Sequence, residues 1–109
     1  FKNFYTYQLK AIEWAMNMSA TGSSGWEILD TDAGVGVAGH SMGGQATVYS
    51  SSAAGAGYSI KTAVMHHAYT HSFPAPQVPF LAFTGAQDTT APPLMTHGFY
   101  EAEGTNPAK

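Results

Sequence analysis

Apolar side chains at Phe1, Tyr5, Leu9, Ile12 and Met16 recur in steps of three and four, which predicts one amphipathic helix over residues 1–19. The Gly- and Ser-rich stretch over residues 20–25 ends it. Trp26, Ile28 and Leu29 then read as a short apolar anchor, and Asp30, Thr31 and Asp32 as a turn. Val35, Gly36, Val37 and Ala38 are apolar and small on both faces, the pattern of a strand buried beneath helices. A second helix is predicted over residues 42–54, where Ala46, Tyr49 and Ala53 share a face and Gly43 and Gly44 let its start lie close on the sheet, with Gly55 to Gly57 as its stop and a serine run, Ser50 to Ser52, weakening its end. Residues 60–66 and 78–84 give two further strands, Pro79 standing among the first residues of its strand, where a missing N–H does least harm. A third helix follows Pro92 and Pro93, over residues 95–102. Strands alternating with helices predict an α/β fold: a three-stranded parallel sheet core flanked by helices.

Composition narrows the function classes. The 109 residues suffice for one compact unit, and only 10% are charged, against about a quarter in an average soluble protein. Solubility therefore falls to Ser, Thr, Asn, Gln and Gly. Four Lys and Arg in a chain of net charge −3 offer no basic stripe, which argues against nucleic acid and against anionic membrane surfaces. The absence of Cys removes disulfides, thiolate metal sites and a cysteine nucleophile. No apolar run reaches the length of a membrane span. Phe1-Lys2-Asn3 carries neither an initiator Met nor a signal-peptide pattern, so the expectation is a piece of a longer protein. Asp30 and Asp32 lack a third carboxylate and a Gly-spaced loop, so they read as a solvated turn rather than a cation site.

One stretch names a chemistry. Gly39-His40-Ser41-Met42-Gly43-Gly44 has the G-x-S-x-G spacing of a nucleophile elbow, in which a serine sits on a tight strand-to-helix turn and its neighbours must lack bulk. Gly39 and Gly43 hold the two flanking positions, and the predicted strand and helix lie on either side. Asp88 falls in the loop after a later strand, and in open parallel sheets ligands bind outside the carboxyl ends of the strands. Ser41 and Asp88 are thus expected on one rim, in the Ser-then-Asp order of Ser-Asp-His hydrolases. A turn or helix-capping role is the other reading of Asp88.

Residues 35–44, 61–64 and 78–92, which include Gly39-His40-Ser41-Met42-Gly43-Gly44 and Phe83-Thr84-Gly85-Ala86-Gln87-Asp88, resemble the central part of α/β-hydrolases of the dienelactone-hydrolase, bacterial-cutinase and polyester-hydrolase group, with chlorophyllase-like esterases as near neighbours. The resemblance covers nearly the whole chain and implies a partial α/β-hydrolase fold, residues 1–109 forming one incomplete domain that lacks the first strands and the histidine segment. It implies Ser41 as nucleophile and Asp88 as the acid orienting a histidine. It also makes the Met42 N–H an oxyanion donor and puts the Met42 side chain on the acyl-binding floor. Tyr69 is implied as a wall of the substrate cleft, against the plainer reading of a half-buried tyrosine; Gln45 and Tyr49 are implied as structural. The family histidine lies after a further strand, beyond Lys109, and the second oxyanion donor upstream.

Five histidines are present. His66 and His67, after a strand's carboxyl end, are the only serious substitutes for the missing base, while His40 is expected to pack beside the elbow, His71 lies in the Pro-rich loop and His97 on the third helix. His67 and His71 have no helix between them and no third ligand, so no metal is expected. The expected activity is cleavage of carboxylic esters through an acyl-enzyme, on a small-molecule or polymeric ester, with no cofactor. A non-catalytic binding module, or a peptidase or acyltransferase on the same triad, are the alternatives. Few charges and 13% aromatic residues suit a secreted enzyme meeting an apolar or polymeric substrate, with a cytoplasmic location and the oligomeric state left open.

Overall fold

The structure, a computed structural model, describes residues 3–109. Helix α1 spans Tyr5–Ala20, strand β1 Val35–His40, helix α2 Met42–Ser50, strand β2 Ile60–His66, strand β3 Phe80–Phe83 and helix α3 Pro93–Tyr100. The three strands form one parallel sheet in the order β1-β2-β3, with Val37, Ala63 and Phe80 in register. An α/β architecture with a three-stranded parallel sheet and flanking helices is therefore what this sequence adopts.

Side chains alternate across a pleated strand, so the two faces of the sheet can have different fates. Val37, Ala63, Met65 and Phe80 point to one face, where Val48 of α2, Phe99 of α3 and Ala68 complete a buried cluster and Ile12 of α1 packs against it. Phe80 meets Phe99 at 6.1 Å and Tyr100 edge-on at 5.8 Å, contacts that hold α3 on β3. On the opposite face Gly36, Ala38, His40, Thr62 and His66 are exposed, and Leu81 and Phe83 keep 53% and 43% of their surface accessible. The expectation of a first strand buried on both sides is corrected here: small residues on both faces of β1 are compatible with burial but do not supply a second layer.

Element ends differ from the sequence reading for local reasons. In α1 the stripe of Tyr5, Leu9, Ile12 and Met16 faces inward as expected, with Leu9 buried; Phe1, the first member, lies outside the described residues. Helix α2 stops at Ser50 rather than at residue 54, because Ser51 Oγ donates to the Val48 carbonyl and Ser52 Oγ to the Tyr49 carbonyl, after which the chain tightens into a 3-10 turn over Ala53–Gly55. Strand β3 begins at Phe80, yet Pro79 still pairs through its carbonyl, which accepts from the Ala63 N–H at 3.1 Å. Helix α3 begins two residues earlier than expected, with Pro93 at its start, where the missing N–H leaves no helical bond unmade. Asp30 accepts from the Ala33 N–H at 3.2 Å and caps a 3-10 turn, in keeping with a turn. Trp26, Ile28 and Leu29 do not anchor the core. Trp26 packs edge-on to Trp14 at 4.6 Å, and Ile28 is 83% exposed.

Candidate functional site at the carboxyl rim of the sheet

Ser41 stands between the last residue of β1 and the first of α2, with φ 56° and ψ −120°. A serine at a helix N-cap ordinarily sits in the β region and turns its hydroxyl onto the first-turn N–H groups. Ser41 does neither. It makes no capping bond, and its Oγ has no hydrogen-bond partner among the described residues. A non-glycine residue at positive φ costs on the order of 1–3 kcal/mol and persists only where its surroundings impose it.

Two glycines impose it. A β-carbon on Gly39 would lie 2.0 Å from the Gly43 carbonyl oxygen and 2.7 Å from Thr47 Oγ1, so β1 can run directly into α2 only if residue 39 has no side chain. A β-carbon on Gly44 would lie 2.8 Å from Ala68 Cα, which fixes how closely α2 settles on the segment after β2. Gly43 meets nothing within 4 Å. Of the two glycines expected to let α2 lie close, Gly44 meets that demand and Gly43 does not. Backbone bonds then lace the three strand ends together: the Ser41 N–H donates to the His66 carbonyl at 3.1 Å, the Tyr69 N–H to the Ser41 carbonyl at 2.9 Å, and the His67 N–H to the Phe83 carbonyl at 2.9 Å.

Asp88 follows β3 on the same rim. Its Oδ1 accepts from the Ala91 N–H at 2.8 Å and the Thr90 N–H at 2.9 Å. These two bonds, Ala91 first, hold the carboxyl below the usual carboxylate range; partial desolvation opposes them, and the nearby His67 and His40 add a weaker pull downward. The turn-capping reading of Asp88 is therefore satisfied through one oxygen. The other makes no hydrogen bond or ion pair among the described residues and remains available to a further donor.

Met42 is the first residue of α2, where an α-helix leaves backbone N–H groups without intrahelical acceptors, and its side chain is 42% exposed. Tyr69 is half-buried; its hydroxyl lies 3.3 Å from His71 Nε2 and its ring meets His71 edge-on at 5.2 Å. Gln45 is buried and donates to Thr70 Oγ1 at 3.1 Å, while Tyr49 stacks on Tyr5 at 5.2 Å. Ser41 and Asp88 thus share one rim, separated by the end of β2, with Met42 and Tyr69 adjoining Ser41.

No histidine completes a hydrogen-bonded triad among the described residues. His67 comes nearest the acid loop: a β-carbon on Gly85 would lie 3.3 Å from His67 Nε2 and 3.5 Å from Asp88 Cβ. Its Nδ1, however, is engaged with His66 Nδ1 at 3.0 Å. His40, expected beside the elbow, is solvent-exposed. It is the ladder partner of His66, exposed on the open face with its ring 5.7 Å from that of His66. The sequence marked His66 and His67 individually; only the register of β1 on β2 reveals that three imidazoles gather here. As the side chains stand, no three ligating groups among the described residues converge on one point. Concavities of about 440 and 300 Å³ lie away from this rim, the larger beside Ser50, Lys61 and Gln77, the smaller beside Ile12, Glu13 and Tyr58. Among the described residues no helix is long and apolar enough to cross a membrane.

Fold and site together define a class: an α/β protein whose parallel sheet presents, at its carboxyl rim, a strained serine at a strand-to-helix turn and an acid with one committed oxygen. No family model matches the chain, and the search of curated proteins returns no relative.

Proposed function

We propose that the chain carries the nucleophile and acid of a serine ester hydrolase of the α/β-hydrolase type, acting on small-molecule or polymeric carboxylic esters. The observation that carries this reading is Ser41, held at φ 56° with an uncommitted Oγ although it occupies a helix N-cap. Capping would be the cheaper use of a serine there, and strain at a functional residue is the arrangement expected of a nucleophile elbow. In this scheme a histidine takes the Ser41 Oγ proton as the oxygen attacks the ester carbonyl. The Met42 N–H stabilises the tetrahedral oxyanion, the alcohol leaves with the proton from the histidine, and water releases the acid by the reverse path. The free Asp88 oxygen orients that histidine, which is proposed to come from a segment beyond these residues. Tyr69 forms a wall of the acyl cleft, and secretion suits the sparsely charged composition.

The test is ester turnover by the full-length protein. Short-chain p-nitrophenyl esters are hydrolysed, and Ser41→Ala and Asp88→Asn each remove most of kcat at unchanged fold. Turnover that survives Ser41→Ala contradicts the proposal, and absence of turnover with every ester assigns the chain to a non-catalytic binding module.

A further inference from the structure

We propose that His67 is a proton-controlled positioning residue for Asp88: neutral, it leaves the second carboxylate oxygen open, and protonated, it closes that oxygen. The contact is a property of this chain alone, while its consequence for ester turnover rests on the hydrolase reading. Neighbouring side chains on a strand point to opposite faces. The rings of His66 and His67 nevertheless meet, with centroids 4.7 Å apart and their Nδ1 atoms in an ordinary hydrogen bond of 3.0 Å. The left-handed backbone of His67, φ 49°, brings its ring round to that side, and its N–H donates to the Phe83 carbonyl at 2.9 Å, which ties the turn to the end of β3. The Nε2 end of the ring faces the acid loop. A β-carbon on Gly85 would lie 3.3 Å from His67 Nε2 and 3.5 Å from Asp88 Cβ, so the two groups flank a space that a glycine leaves open.

A bond between two ring nitrogens has one donor and one neutral acceptor. With His66 donating, a neutral His67 carries its proton on Nε2 and presents it to the carboxylate; with a neutral His67 donating, a bare lone pair would face that negative charge. Asp88 therefore selects the first arrangement while both rings are neutral. Uptake of one proton reverses it. Solvent protonates the Nε2 of the exposed His66, the Nδ1 proton of His66 passes along the bond to His67 Nδ1, and the charge settles on His67, the ring of the pair that Asp88 attracts. The resulting imidazolium has two N–H groups and two acceptors: His66 Nδ1 and the Asp88 oxygen that the Thr90 and Ala91 N–H groups leave unused. A turn about side-chain torsions closes the second contact. The titratable groups facing His67 are His66 on β2, Asp88 after β3 and His40 on β1, whose ring stands 6.3 Å away; a proton on His40 repels one on His67 and does not drive the closure. Closure takes from the histidine proposed to lie beyond these residues the oxygen that orients it, so turnover is switched down in acid.

The experiment is nuclear magnetic resonance of the native chain from about pH 8 to pH 5, the range in which imidazoles titrate, with ring tautomers read from long-range nitrogen–proton correlations and Asp88 from its carboxyl carbon shift. Asp88 itself titrates below this range, so its carbon reports only its neighbours. At the alkaline end His67 is expected to carry its proton on Nε2 and His66 on Nδ1. On acidification the Asp88 carbon shows a step that follows the His67 ring. The step is lost in His67→Asn, which suits the left-handed backbone and does not titrate, is reduced in Gly85→Ala, whose methyl group stands between the two, and persists in His40→Gln. Circular dichroism of each variant confirms the native fold. A flat Asp88 trace in the native chain, a step that survives His67→Asn, is undiminished in Gly85→Ala or vanishes with His40→Gln, or a neutral His67 protonated on Nδ1 overturns the proposal. Ester turnover plays no part in the readout, so this inference and the hydrolase reading fail separately.

Discussion

Replacing Gly39 by Ala places a methyl group where the structure has no room. The new carbon would lie 2.0 Å from the Gly43 oxygen, 2.3 Å from the Gly43 carbonyl carbon and 2.7 Å from Thr47 Oγ1. Two of these three are backbone atoms of the first turn of α2, which cannot swing aside as the end of a flexible side chain can. Relief requires β1 and α2 to separate by roughly 1 Å, opening the contact between Gly44 and Ala68 and lengthening the bonds that join Ser41 to His66 and Tyr69. Overpacking a well-filled site costs about 1–3 kcal/mol, and a clash against backbone on a rigid junction belongs at or above the upper end. Gly43→Ala is the matched control. Its added carbon meets nothing within 4 Å, and exchanging Gly for Ala inside a helix contributes up to about 1 kcal/mol of stability. Urea denaturation of both variants by circular dichroism measures the difference. The expected outcome is Gly39→Ala destabilised by about 3 kcal/mol and Gly43→Ala neutral or stabilised. A Gly39→Ala variant as stable as the parent, or a Gly43→Ala variant less stable than Gly39→Ala, refutes the account of the elbow.

Ser41→Gly relieves the strain at φ 56° at the cost of extra freedom in the unfolded chain, so a net gain of about 1 kcal/mol is expected in the same assay, and a loss of similar size contradicts the strain argument. Asp88 has its folded pKa depressed by the Ala91 and Thr90 N–H groups. Its stabilising contribution is therefore present above the ordinary carboxylate pKa, near 4, and is lost as pH falls through the lower folded value; comparing urea midpoints at neutral and acid pH, Asp88→Asn flattens this acid limb, and an unaltered limb refutes the assignment. Phe99 is fully buried against Phe80, so Phe99→Ala costs about 3–5 kcal/mol by denaturant titration, and a loss under about 1 kcal/mol shows that α3 does not pack as described.

Legibility in the sequence followed the range of the interactions. The strand, turn and helix around Ser41 depend on neighbours a few residues apart, and the order of small apolar residues, glycines and Ser41 displayed them. The stripe on α1 was equally readable, because helical spacing reports one face directly. Tertiary contacts were not readable. Gly43 and Gly44 together signalled a close approach of α2, but that Ala68, more than twenty positions away, requires Gly44 and leaves Gly43 open was not legible. The end of α2 was decided by Ser51 and Ser52 turning their hydroxyls onto the helix's own carbonyls, a competition that propensity foreshadows without locating. Which face of β1 is covered depends on partners from all three helices, and Val35 to Ala38 look alike from both sides. Ser41 and Asp88 stand out in the sequence as residues; that Asp88 commits one oxygen to its own turn and leaves the other open is a property of the folded loop.

The most direct test of Ser41 as a nucleophile is the mass of its peptide after the full-length protein reacts with an alkyl fluorophosphonate. A phosphonyl adduct on the Ser41 peptide, absent from Ser41→Ala and slowed in Asp88→Asn, is the predicted result. An adduct on another serine, or labelling undiminished in Ser41→Ala, contradicts it.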